Sequence, residues 1–139
     1  MYGVLDISTS GMVAQRARMT VISANLAHQN TLVDAEGNYN PYRRREVMFS
    51  PGDPSAKSPS GKSMGVHVSE IHVNHDALRQ KYAPGHPFDE DGDGYIAVPD
   101  ISSVVEQVNA MEAARAYEAN VVTAEASKSM MAQALRVIA

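Results

Sequence analysis

From Ile101 to the end of the chain there is neither Pro nor Gly. The stretch is rich in Ala and in residues that tolerate a helix at little entropic cost, among them Met111, Glu112, Arg115, Glu118, Lys128, Met131 and Leu135. It predicts one helix over 101–139. At about 1.5 Å per residue such a helix runs to about 55 Å, longer than a compact domain of this size is wide, so its far end is expected to project. Two signals mark its start. Pro99 and Asp100 form a stop-and-cap pair, and Ser103-Val104-Val105-Glu106 fits a capping box that satisfies free N–H groups of the first turn.

Apolar positions then recur in threes and fours: Ile101, Val104, Val108 and Met111, then Ala114, Tyr117, Val121, Ala124, Met131, Leu135 and Ile138, with Lys128 interrupting. Two consecutive three-residue steps, Met111 to Ala114 to Tyr117, rotate the stripe around the helix. It is therefore expected to face two directions and to serve two different partners.

All seven prolines and seven of the nine glycines fall between Asn30 and Asp100, which leaves both ends of the chain nearly free of helix breakers. Three parts follow: an N-terminal helix over 1–29, a turn-rich β insert over 30–100, and the C-terminal helix over 101–139. The fold class is mainly α with a small β-containing insert, the long terminal helices packing as a helical hairpin or coiled coil. Within the insert, Arg43–Phe49 and Val66–Val73 carry short apolar alternations that suit half-exposed strands, while residues 50–65 are dominated by Ser, Pro, Gly and Lys and read as a mobile loop.

In the first part Leu5, Met12, Met19, Ile22 and Leu26 lie near heptad spacing, with Ser8, Gln15 and Gln29 between them. Five large side chains at about 1.5–3 kcal/mol each barely offset the ordering entropy of some 25 residues. This end is expected to be poorly ordered in the free protein and to fold on docking.

Composition removes several classes of function. A net charge of −4 with interspersed signs argues against backbone-neutralising nucleic-acid binding, and the absence of Cys excludes disulfides and thiolate chemistry. No apolar run reaches the roughly 18 residues needed to span a bilayer, and Met1–Ala14 lacks the layout of a cleaved secretion signal. No nucleophile–base pair and no phosphate-cradling Gly loop is present, so neither catalysis nor a small-molecule substrate or cofactor is expected.

Two stretches suggest metal chemistry. Asp89-Glu90-Asp91-Gly92-Asp93-Gly94-Tyr95-Ile96-Ala97-Val98-Pro99-Asp100 places acids at positions 1, 3, 5 and 12 and Gly at 6, the pattern of a calcium loop with Asp89, Asp91, Asp93 and Asp100 as ligands. Against it stand the short stem of Asp100, the breakers Pro84, Gly85 and Pro87, and the lack of a second loop. His67, His72 and His75 offer a zinc set, but His67 and His72 at odd separation on a strand point to opposite faces.

Ala24-Asn25-Leu26-Ala27-His28-Gln29-Asn30-Thr31, with Ser8-Thr9-Ser10-Gly11-Met12 upstream, resembles the amino-terminal signature of the flagellar axial proteins, the rod, hook and hook-associated subunits. Position 28 departs from it, with His in place of a second Asn; an imidazole also donates and accepts. Pro41-Tyr42-Arg43-Arg44-Arg45-Glu46-Val47-Met48-Phe49, Gly65-Val66-His67-Val68, Pro84-Gly85-His86-Pro87, Asp93-Gly94-Tyr95-Ile96 and Arg115-Ala116-Tyr117-Glu118-Ala119-Asn120 are similar to blocks of the family's small proximal-rod type. Residues 50–63 and 74–80 match least.

The resemblance implies a non-enzymatic subunit of the bacterial flagellar rod, exported through the flagellar export apparatus without a cleaved signal peptide and polymerised in the periplasm. Its partners would be copies of itself and other rod proteins, with no nucleic acid and no membrane insertion. The expected assembly interface comprises Leu5, Met12, Met19, Ile22, Asn25, Leu26, Val108, Met111, Tyr117, Val121, Met131 and Leu135, and the expected insert contacts are Tyr42, Arg43, Arg44, Val47 and Phe49. The alternative readings are a small calcium-binding module built on loop 89–100 and a helical-hairpin adaptor.

Overall fold

The computed structural model describes residues 2–89 and 91–138. Met1 and Ala139, the outer ends of the two expected helices, and Glu90 of the acidic loop lie outside the described residues. Helix α1 spans Tyr2–Ala27, strand β1 Arg45–Pro51, helix α2 Pro59–Met64, strand β2 Val66–Val73, strand β3 Leu78–Tyr82, strand β4 Tyr95–Pro99 and helix α3 Ser103–Ile138. The chain is mainly α, with long terminal helices and a small β insert between them.

α1 and α3 lie antiparallel. Asn25 meets Glu106, Arg18 meets Glu112, Gly11 meets Asn120 and Val4 faces Ser127, a register that advances by about seven residues on each helix. On α3 the matching face runs through Glu106, Ala110, Ala113, Tyr117, Asn120, Ala124, Ser127, Met131 and Ala134 in alternating steps of four and three, all buried or half-buried. Opposite them stand Ile7, Gly11, Ala14, Arg18, Val21 and Asn25.

Small residues let these backbones come close: a Cβ on Gly11 would lie 2.9 Å from the Asn120 amide. The polar members of the face satisfy themselves within their own helix, Asn120 Nδ2 donating to the Ala116 carbonyl at 2.9 Å and Ser127 Oγ to that of Thr123 at 2.8 Å.

β1 and β2 form an antiparallel ribbon with a bulge where Met48 pairs Glu70 and Phe49 pairs Val68; β3 and β4 form a second ribbon. The first ribbon packs along α1. The Val66 N–H donates to Ser10 Oγ at 3.0 Å, and the Ser10 hydroxyl donates in turn to the Ile7 carbonyl. Around the second ribbon Ala77, Ile96, Val98 and Ile101 are buried, and Tyr39 ties the 31–42 segment to β4 by donating to the Ala97 carbonyl at 2.7 Å.

Two sequence expectations need correction. Residues 50–65, read as a loop, contain the end of β1 and all of α2. Ser58 caps α2 by accepting from the Gly61 N–H, Pro59 presets the first helical residue, and Asp6 of α1 accepts from the Ser58 N–H at 3.1 Å. The capping box on α3 is also displaced. Ser102, not Ser103, precedes the helix, its carbonyl accepting from the Glu106 N–H, and the Glu106 side chain points elsewhere.

Candidate assembly interface

Where the last turn of α1, the start of β1 and the first turn of α3 converge, Asn25 and Glu106 are each only 1% exposed. Asn25 Oδ1 accepts from the Arg45 N–H at 3.0 Å and from the Tyr42 hydroxyl at 3.2 Å; its Nδ2 donates to the Arg45 carbonyl at 2.9 Å and to Glu106 Oε2 at 3.2 Å. The side-chain amide thus meets the backbone of Arg45 as a neighbouring strand would, and all four of its hydrogen-bonding positions are filled. Glu106 Oε1 accepts from Arg44 Nε at 2.9 Å, and Arg44 Nη1 donates to Glu46 at 2.7 Å. A carboxylate buried in this way persists because it is paired and hydrogen-bonded.

Tyr42 closes the node from outside. The His28 ring stacks on it with centroids 4.8 Å apart, and the Arg45 guanidinium lies 5.4 Å from its centroid. Position 28, where the signature departs, therefore supplies a flat ring to the node, with Nδ1 within 3.2 Å of the Thr31 hydroxyl. Burial pushes the Tyr42 phenol above its ordinary value, against the opposing pull of Arg45 and with a further push from the Glu106 carboxylate.

The outward faces of the helices are a different kind of surface. Val104, Val108, Met111 and Val122 are all exposed and, with Arg115 and Glu118, run in their own alternating steps of four and three. This series sits two residues out of phase with the inner one. At about 100° per residue that puts it on the opposite side of α3. The rotation read in the sequence is resolved here as two back-to-back seams, one filled by α1 and one bare.

The far end of α3 is also bare. Val4 faces Ser127, Met130, Met131 and Ala134 across an open apolar groove of about 280 Å³. Beyond it Leu135, Val137 and Ile138 are 67%, 87% and 81% exposed, and among the described residues no element covers them.

Among the residues expected to mediate assembly, Val108, Met111 and Leu135 lie on these bare surfaces. Leu5, Met12, Met19, Leu26, Tyr117, Val121 and Met131 are half-buried along the hairpin, and Ile22 is buried. Asn25, Tyr42 and Arg44 are engaged within the chain, whereas Arg43 and Val47 are half-buried and Phe49 is exposed. Sequence reasoning missed Glu106 as the anchor of Arg44. The only signal was its place as the first member of the inner four-and-three series.

The acidic loop is a turn. Asp89 Oδ2 accepts from the Gly94 N–H at 3.0 Å and Asp93 Oδ1 from that of Tyr95 at 2.8 Å. β4 then carries the chain away, putting Asp100 about 20 Å of extended backbone beyond Gly94, so the four carboxylates do not converge. Among the described residues no three metal-ligating side chains gather. His67 is half-buried beside the Gly52 carbonyl, and His72 and His75 are exposed.

Residues 93–137 match the family model described as flagellar basal body rod FlgEFG protein C-terminal. Over nearly its whole length the chain is also similar to proteins named flagellar basal-body rod protein FlgC. That of Borreliella burgdorferi is 35% identical, covering 99% of this chain and 97% of the relative. That of Bacillus subtilis is 34% identical over 96% and 95%, and that of Escherichia coli O6:H1 33% identical over 95% and 93%.

Proposed function

The chain belongs to the FlgC family of flagellar basal-body rod proteins and is a structural subunit of the rod, and from that premise we propose that it polymerises through its terminal helices. The observation that carries this reading is the pair of opposed seams on α3. The inner seam closes the monomer, and the outer one, through Val104, Val108, Met111 and Val122, together with the Met130–Ile138 end, is left for neighbours. Large exposed apolar side chains aligned in a heptad pattern call for a helical partner.

Those neighbours are copies of this chain and other rod proteins, meeting through heterologous contacts that do not close and so build a helical tube. The chain reaches the periplasmic part of the basal body through the flagellar export apparatus. No helix among the described residues is long and apolar enough to cross a membrane. It performs no catalysis: its most buried polar side chains, Asn25 and Glu106, hold the fold together.

Mass spectrometry of purified hook–basal bodies is expected to find the chain enriched. Val108→Asp is expected to leave the melting temperature unchanged, because the side chain is exposed, yet to remove the chain from basal bodies by placing a charge in a desolvated contact. Normal incorporation of Val108→Asp would overturn the packing. Absence of the wild-type chain from intact complexes would overturn the function.

A further inference from the structure

The net charge of −4 is concentrated in one part of the chain. Residues 76–100 hold Asp76, Asp89, Glu90, Asp91, Asp93 and Asp100 against only Arg79 and Lys81. In the turn before β4, Asp91 and Asp93 are exposed and flank a cleft of about 220 Å³ walled by Tyr39, Phe88 and Tyr95. Among the described residues neither carboxylate has a cationic partner.

A second groove, of about 420 Å³, borders the same 31–42 segment but is lined by His28, Val33, Tyr42, Arg43, Arg45 and Val73 among others. Of the three consecutive arginines only Arg44 is paired with acids. Arg43 Nε reaches just the His75 carbonyl at 3.4 Å, and Arg45 lies over the Tyr42 ring. Asp34 also lines the groove; its Oδ1 accepts from the N–H groups of Glu36 and Asn38, and it forms no ion pair with either arginine. The groove thus offers two cations without counter-ions, and the turn two carboxylates without counter-ions, at different places on one chain.

We propose that the acidic turn of one copy, centred on Asp91 and Asp93, seats in the Arg43–Arg45 groove of a second copy. Copies with the same net negative charge repel one another, and placing the acidic turn of one against the arginines of the next selects a single approach. The contact joins unlike patches, so it repeats without closing, as a helical polymer requires. The tyrosine and phenylalanine walls add apolar area on one side and His28 and Tyr42 on the other. The contact rests on the polymer reading above and names one of its interfaces.

The test is a charge swap in the full-length chain in cells. Asp91→Arg alone, and Arg43→Glu with Arg45→Glu, are each expected to lower incorporation into purified basal bodies about tenfold, and their combination to restore it to within about twofold. Melting of the purified variants shows whether the fold survives; Asp91 is chosen because its side chain makes no hydrogen bond that the turn needs, unlike Asp93. The absence of cysteine gives a second, independent readout. Asp91→Cys and Arg45→Cys in one chain are expected to yield disulfide-linked dimers and a ladder of higher multimers in isolated rods. Single reversals that assemble as wild type, or a swap that fails to restore incorporation with no dimer formed, overturn the contact while leaving the rod assignment intact. A wild-type chain missing from basal bodies overturns both.

Discussion

Asn25 and Glu106 hold three segments that are far apart in sequence, and the physics of the node makes their removal costly. Glu106→Ala leaves half-buried Arg44 with Glu46 alone and strips Asn25 of one acceptor, so a loss of about 1–3 kcal/mol is expected in thermal or urea unfolding. Asn25→Ala orphans the Arg45 backbone groups and is expected to cost about 1–3 kcal/mol. The Tyr42 phenol is pushed up chiefly by burial, so its neutral form is favoured by folding. The stability this lends is fully present below the phenol's unfolded value near 10 and is lost as pH rises through the higher folded value. Tyr42→Phe is expected to lower stability at neutral pH, through the lost bond to Asn25, and to flatten the alkaline decline. Phenolate absorbance checks the cause: the absorbance change lost in Tyr42→Phe is expected to fall above the ordinary phenol range.

At the scale of elements, the two seams of α3 respond oppositely to substitution. Ala113 is fully buried where the helices come close, so Ala113→Leu is expected to overpack the hairpin and cost about 1–3 kcal/mol, read as a lower melting temperature. Leu135→Asp, on the bare end, is expected to leave melting unchanged and to reduce incorporation into rods. This division also explains what the sequence disclosed. The extent of α3 was legible because breakers are absent, and β1 and β2 because Val47 with Phe49 and Val66 with Val68 alternate. The inner seam was legible only in part: Tyr117, Ala124 and Met131 stood in the apolar series, but Glu106, Asn120 and Ser127 are polar and Ala110 and Ala113 small, so near the start of α3 the periodicity followed Val104, Val108 and Met111 outward instead. α2 escaped because six residues in a Ser- and Pro-rich run carry no periodicity, and β3 because its LRQKY sequence buries no alternating face. Size and spacing picked out Val108, Met111 and Leu135, which the structure leaves exposed; that they meet neighbours is part of the proposal. Glu106 was assigned to a cap because a local pattern was available and a partner 62 residues away was not visible.

For the whole molecule the hairpin is asymmetric. One end is pinned by the Asn25–Glu106–Arg44 node and by the β1–β2 ribbon against α1; at the other, Val4 looks across an open groove and α3 runs on uncovered. Local opening is cheapest where few apolar contacts and no long-range hydrogen bonds must break. Amide hydrogen exchange on the free chain is therefore expected to be slowest around residues 18–25, 45–49 and 105–113 and fastest over 127–138 and the first turn of α1. Part of the disorder anticipated from the thin α1 sequence would then be confined to the open end, since Asp6 and Ser10 are already tied to α2 and β2. On the packing proposed above, neighbours cover the open end in an assembled rod, so its protection is expected to rise there while that of the node stays nearly constant. Equal protection at both ends of the free hairpin would contradict this gradient. Fast exchange at the node would mean that the buried Glu106 pair does not hold the insert to the helices. With that gradient, the subunit proposed here would hold its insert through the node before it assembles and leave the ordering of its outer helix turns to the polymer, where a neighbour is present to offset the ordering cost.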